Sequence, residues 1–430
     1  MKKYYYFLTL LIFASCEERE ILSPSTSQQC SNVPSFSIKG CIDNYINISK
    51  GTGSTRGVSG VKYEMTPYIF NGDTSLYIVN YDEGWQIFPN SLNAPMVLAF
   101  SNTGNLDIDD DKFKDSPLSA YLETMAFNIS LGDLANLPLD SLNNCIDTIQ
   151  FGLNPEVYLG NIDTLSVVTK DHLIQTKWGN NRPWNKYIKK IVYTQGGLDN
   201  GKVGCGAVAV GQYLYYKQHH GYSNLEAVSH GQYSPADSGY VFSNPDTTIW
   251  EKMAVNYQDS YVDATRGDSA AVFLGEVAKS ISVFYKENGT GSTPATQMQY
   301  LSSQGFDFEC VDINYDTIIS LLDINEPVII NIYMPGDGHA CIVDGYRIEN
   351  LRVTYQIQPI GGDPKTVFSD YSVKYICMNW GWDGASDDIW LIASDEVAWD
   401  VVYRNYSLNT SNPITFPANF QRKMQKRVNN

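Results

Sequence analysis

The sequence predicts an α+β protein, on three observations. Helical periodicity marks early segments: Leu118, Tyr121, Leu122, Met125, Ala126 and Ile129 share one face, and a small-residue run from Gly206 leads into Tyr213, Leu214 and Tyr216. Strand-forming runs fill the later chain at Val328–Met334, Ala340–Tyr346, Val353–Ile357, Val373–Met378 and Ile389–Ala393. Helices first and antiparallel strands later is the α+β order. Third, a hairpin, a strand and a helix precede both and make a smaller α+β unit of their own. The 430 residues, 43% of them hydrophobic, suffice for two or three domains and exclude a disordered protein. A net charge of −17 argues against nucleic acid as a partner, and against an anionic membrane surface for the folded part. The 30 tyrosines suit an extracellular, β-rich protein.

The N-terminus reads as an address. Lys2 and Lys3 precede an apolar run from Phe7 to Ala14, too short to span a bilayer, and Ala14-Ser15-Cys16 follows. This resembles a bacterial lipoprotein signal over residues 1–15, which implies lipidation of Cys16 and a membrane anchor there. Phe13 stands where Leu is usual, and plain secretion with cleavage nearby is the alternative. The acidic Glu17-Glu18-Arg19-Glu20 resembles signals that direct lipoproteins to the outer cell surface.

Residues 16–60, rich in Ser, Thr, Gly and Asn, read as a tether. Residues 61–165 read as the small α+β domain. In it Ser75–Tyr81 and Trp85–Phe88 flank an Asp82-Glu83-Gly84 turn, and Asp115-Ser116-Pro117 opens the helix of Leu118. Asp107, Asp109, Asp110 and Asp111 form a solvated acidic turn rather than a calcium loop. Lys112 takes the position an EF-hand gives to Gly, and Leu118 that of its bidentate Glu. Leu165–Asp171 carries no turn or capping signal and reads as a cleavable linker. Residues 170–410 form the second domain, with a further helix over Ala270–Tyr285, and 411–430 read as a tail.

Eight cysteines are present, with no C-x-x-C and no zinc-like Cys/His spacing. Cys30 and Cys41 are placed for a local disulfide; the other pairings stay open. Cys205 differs from the rest. It lies between Gly204 and Gly206 at a helix start, where unpaired N–H groups and the dipole favour the thiolate. A small buried hydrophobe is the competing reading. Of five histidines, His339 sits at a loop-to-strand junction, 134 residues after Cys205. That lies in the roughly 130–150 residue range of papain-type Cys and His. Asn379, after a strand and before Trp380, is the candidate amide to orient the imidazole, with the Trp380 ring shielding that bond.

Taken together, Trp178-Gly179 to Asn185, Gly204-Cys205, Gly289–Ala295, Gly338-His339-Ala340 to Tyr346, and Asn379-Trp380-Gly381-Trp382 resemble the streptopain-like cysteine proteases. These are papain-like enzymes secreted by bacteria, and the resemblance covers about residues 170–395. Leu76–Asn80 and Trp85–Phe88 resemble that family's propeptide. The resemblance implies a papain-like fold, with Cys205 as nucleophile, His339 as base and Asn379 as orienting amide. It implies protein or peptide substrates, no cofactor, and an N-terminal domain acting as inhibitor. Trp380, Gly338 and Ser292 are expected to line the substrate cleft.

Three departures stand out. Asn180 replaces the Gln that supplies an oxyanion donor beside the Cys205 N–H. The Tyr346–Asn379 segment is longer than expected, with an extra Gly361-Gly362-Asp363-Pro364 turn placed to reshape a cleft wall. Asp387-Asp388 replace a glycine-containing turn. The function expected is a lipid-anchored cysteine endopeptidase made as a zymogen. The alternative is a catalytically weak or inactive homologue acting as a surface binding or adhesion lipoprotein.

Overall fold

The structure is a computed structural model. It describes residues 42, 45–46, 62–91, 96–110, 113, 117–131, 156–188, 190–193, 197–221, 249–286, 289–334, 337–358, 363, 365–384, 387–393 and 421–427. The signal segment, Cys16, Cys30, Cys41, Cys145 and His230 lie outside them.

The chain begins with an antiparallel meander: β1 (Tyr63–Phe70), β2 (Asp73–Tyr81), β3 (Trp85–Pro89) and β4 (Ala99–Ser101). The predicted hairpin is β2–β3. Helix α1 (Pro117–Leu131) follows and buries Leu118, Leu122, Met125 and Ala126. The folded unit starts earlier than the predicted boundary at 61. Ile42, Tyr45 and Ile46, inside the expected tether, are helical and buried against Val79, Tyr81 and Phe88.

Strand β5 (Glu156–Lys170) comes next, then the small pair β6 (Lys190–Tyr193) and β7 (Gly197–Asn200). The helical half comprises α2 (Cys205–His219), α3 (Ile249–Lys252), α4 (Tyr257–Val262) and α5 (Ala264–Ser280). The hairpin of β8 (Phe284–Lys286) and β9 (Gly289–Gly291) leads to α6 (Pro294–Ser303), β10 (Phe308–Asp312) and α7 (Tyr315–Asp323). The β half comprises β11 (Val328–Met334), β12 (Asp337–Gln358), β13 (Lys365–Asn379), β14 (Trp390–Ile392) and β15 (Gln421–Arg427). The α+β expectation is met. Among the described residues no helix is long and apolar enough to cross a membrane.

The sheet runs β1-β2-β3-β4-β14-β13-β12-β11-β15-β10, so the N-terminal meander continues into the β half through β4 and β14. At that seam the Phe100 ring stacks on Trp390 and meets Tyr375 edge-on, and Tyr375 donates to the Val97 carbonyl. The predicted linker differs from expectation. Residues 165–170 belong to β5, which pairs with β12 from Tyr346 to Gln358. Its apolar side chains Leu165, Val167 and Val168 are nonetheless exposed. The expected tail also differs, because residues 421–427 form β15, between β10 and β11.

The long Tyr346–Asn379 segment is a β arm of β12 and β13, flanked by β5. His339 and Asn379 lie at its base and Gln358 at its far end. At about 3.3 Å per residue, that end is on the order of 60 Å along the strand from His339. Gly361, Gly362 and Pro364 of the extra turn lie outside the described residues.

Helix α2 is buried on nearly all sides, which the small, apolar run Gly206–Gly211 permits in its first turns. It shares a core with Phe273 and Leu274 of α5 and with Ile329, Ala340 and Ile342 of the sheet. Lys217 Nζ, 2.7 Å from Glu326 Oε2, and the Tyr213 hydroxyl on Oε1 tie the helix to the turn before β11. The helix start is thus held rigidly against the first residues of β12.

Candidate active site

Cys205 is the first residue of α2 and is partly exposed. Gly204 before it has φ +97°, a conformation that disfavours a side chain. A Cβ at Gly206 would lie 2.3 Å from Ser292 Oγ, so Ser292 packs directly against the helix start. Gln297 Nε2 donates to that hydroxyl at 3.0 Å.

His339 is the third residue of β12 and pairs with Ile332, while Gly338 pairs with Tyr333. The structure brings the imidazole to the thiol. Burial opposes ionisation of Cys205. The hydrogen bond and charge of His339, with the Ala340 and Gly206 N–H groups, outweigh it and hold the thiol below its ordinary value. His339 Nε2 lies 3.0 Å from the Trp380 carbonyl oxygen. A carbonyl only accepts, so Nε2 carries the proton and Nδ1 is left for the thiol. The Trp380 ring lies nearly parallel to the imidazole at 6.1 Å, and Trp382 meets it edge-on at 5.8 Å.

This arrangement changes the part expected of Asn379. Its Nδ2 donates to Thr176 O at 2.7 Å, and its Oδ1 accepts from Gln212 Nε2 at 2.8 Å and from Gly381 N at 3.1 Å. The group on His339 Nε2 is the Trp380 backbone carbonyl, one residue further on. Asn379 instead anchors the segment that presents it. Gln212 completes the link, accepting from Trp178 N and Thr176 Oγ1 at 3.2 Å each. Gly381 has φ +69°, and a Cβ there would stand 2.9 Å from Val208 of α2. The Trp380 carbonyl is thus set by a turn pressed against α2.

Asn180 lies beside Cys205. Its Oδ1 accepts from Gly204 N at 2.9 Å, and its Nδ2 sits 3.5 Å from Gly381 O. The first bond fixes which way the amide faces, and the second is too long to occupy the donor fully. Asn181 is exposed. We expect Asn180→Ala to lower kcat about 10²–10³-fold with little change in KM, since an oxyanion donor acts on the transition state. Steady-state kinetics beside Asn181→Ala check this, and the larger loss in Asn181→Ala would move the donor to that residue.

Asp387 and Asp388 are not a simple surface turn. Asp387 is buried, and its Oδ1 accepts from Trp380 N at 2.9 Å. Burial pushes its carboxyl up to about 8, against the pull of that N–H. By sequence the pair only replaces a glycine-containing turn; in the fold Asp387 holds the other side of the Trp380 peptide.

A thiol at a helix N-terminus, facing an imidazole on an inner strand of an antiparallel sheet, is the architecture of a cysteine peptidase. The Peptidase C10 family model matches residues 178–390, and the chain belongs to this family, the streptopain family. None of the curated proteins matches the chain. Among solved structures, it is similar to a Cys-to-Ala mutant fragment of Prevotella intermedia prointerpain A. The identity is 18% over 85% of this chain and 98% of that one, with a TM-score of 0.48.

Proposed function

We propose that the chain is an exported cysteine endopeptidase made as a zymogen and anchored through a lipid on Cys16. The Cys205–His339 pair at the start of α2 carries this reading. The Cys205 thiolate attacks a peptide carbonyl carbon, and the oxyanion forms between the Cys205 N–H and Asn180 Nδ2. His339 passes its Nδ1 proton to the leaving amine, and the C–N bond breaks. His339 then takes a proton from water as it attacks the thioester, and the C–S bond breaks to release the acid and restore the Cys205 thiolate beside protonated His339. Trp380, Gly338 and Ser292 border the substrate.

The N-terminal unit supports the zymogen reading through its position. Helix α1 packs into the same core as Trp380, with Trp382 against it, and those two rings flank His339. Held there, the unit governs the catalytic imidazole. The exposed apolar stretch of β5 is the place for the maturation cut, which would also free the enzyme from Cys16.

The test incubates residues 17–430 with casein and sequences the N-terminus of the active form, beside the Cys205→Ala protein. We expect casein cleavage by the wild type alone and a new N-terminus between 156 and 171. An active form that keeps its N-terminal unit would remove the zymogen reading. An intact, folded chain that neither cleaves casein nor labels at Cys205 would leave the binding-lipoprotein alternative.

A further inference from the structure

At the other edge of the Trp380 peptide lies a second cluster of reactive side chains that the mechanism does not use. His172, just after β5, places Nδ1 3.3 Å from both carboxylate oxygens of Asp344 on β12. Its Nε2 lies 3.5 Å from Cys377 Sγ on β13 and 3.8 Å from Asp388 Oδ1. Asp344 and Cys377 are buried, while the imidazole is 29% and the Asp388 side chain 49% exposed, so the cluster opens to solvent on one side. Trp390 packs on the imidazole at 5.7 Å.

We propose that this cluster binds a borderline divalent cation, with Zn²⁺ the best match, through His172 Nε2, Cys377 Sγ and Asp388 Oδ1. Asp344 fixes the imidazole by accepting from Nδ1–H, and water completes the tetrahedron on the exposed side.

The donor set carries the argument. Nitrogen, sulfur and oxygen together suit zinc and its neighbours, whereas calcium and magnesium take oxygen. With bonds of about 2.0–2.3 Å, tetrahedral donors stand roughly 3.3–3.7 Å apart. The two separations from His172 Nε2, 3.5 Å to Cys377 Sγ and 3.8 Å to Asp388 Oδ1, are near that before any adjustment, and closing the remaining Cys377–Asp388 edge falls to the half-exposed Asp388 side chain. A carboxylate on the far nitrogen of a ligating histidine is the usual support for such a ligand. Asp344 is itself held in place, since its Oδ2 accepts from Ile174 N at 3.1 Å.

Charge points the same way. Asp344, Asp387 and Asp388 converge here, and two of the three are buried. Lys177 Nζ, 3.5 Å from Asp388 Oδ2, meets the outer carboxylate on its far oxygen and leaves Oδ1 facing His172. Asp387 Oδ2 is buried without a hydrogen-bond partner. In the metal-free chain the Cys377 thiol is directed at the Asp387 and Ile389 carbonyls, 3.1 Å from each. The ion replaces that proton, which is released to solvent. No spacing motif announced the site, because its ligands come from three separated segments.

The test uses untagged, reduced Cys205→Ala protein, residues 17–430, so that the catalytic thiol cannot compete. It is titrated with Co²⁺ and then Zn²⁺. We expect one equivalent of Co²⁺ to give near-ultraviolet thiolate-to-cobalt charge transfer that Zn²⁺ displaces. Cys377→Ser should abolish the band. Asp388→Asn, at a half-exposed position that leaves the fold intact, should weaken Co²⁺ binding about tenfold or more. A missing band, or one of unchanged intensity and affinity in both variants, overturns the proposal.

Discussion

Replacing Cys205 by Ala is expected to lower kcat for casein or a peptide substrate on the order of 10⁵-fold or more. In the proposed mechanism the reaction passes through a bond to Sγ. Burial pushes the thiols of Cys341 and Cys377 up, away from the thiolate. Cys205 alone among these three has an imidazole and helix N–H groups that hold its thiol down. The variant should keep its fold, because Ala suits the first turn of α2 and leaves its buried face, Ala207 to Leu214, untouched. Equal denaturant midpoints with activity at background would establish the chemical role. Wild-type turnover by a verified Cys205→Ala protein would remove Cys205 as nucleophile.

The second large effect is expected from His339→Ala, a loss of about 10³–10⁴-fold in kcat/KM. It also has a signature that misfolding would not produce. Burial disfavours the Cys205 thiolate, and His339 is the main influence against it. Removing the imidazole lets burial win, so the thiol pKa must rise. Alkylation of wild-type Cys205 by iodoacetamide should persist below the ordinary thiol pKa, and its pH profile should move upward in the variant. Control substitutions at His219 and His220 should leave the profile in place. Those rings pack on Tyr215 and Tyr216 at the other end of α2, at 4.3 and 4.1 Å. An unmoved profile in His339→Ala would dissolve the pairing.

The thiol and the imidazole were legible because each depends on local chemistry. A glycine-flanked cysteine entering a small-residue helix and a glycine-led histidine entering a strand are patterns within a few residues. The partner of His339 Nε2 was less legible. Asn379 and Trp380 are adjacent, and sequence does not tell whether a side chain or the next backbone carbonyl meets the ring. The answer lies with Gln212 and Thr176, which engage the Asn379 amide from well over a hundred residues away. Strand β5 escaped notice because one strand pairing supports it without burying Leu165, Val167 and Val168. The β4–β14 seam was equally hidden, since it joins residues separated by most of the chain. Asp387 looked like a surface residue by type, and only burial beneath Trp380 reveals its place.

The position of β15 bears on the order in which the chain can assemble. Residues 421–427 separate β10 from β11, so those two strands meet only through a partner synthesised roughly a hundred residues later. The meander of β1 to β4, by contrast, closes through neighbouring hairpins, and local contacts form fastest. Its strands can therefore pair while the sheet that carries His339 still lacks an inner strand, and its core closes only when the β half packs against it. A chain interrupted during synthesis would hold the meander paired and the β half unfinished. Ordering of this kind leaves the sheet beside His339 without one of its inner strands until residues 421–427 have left the ribosome.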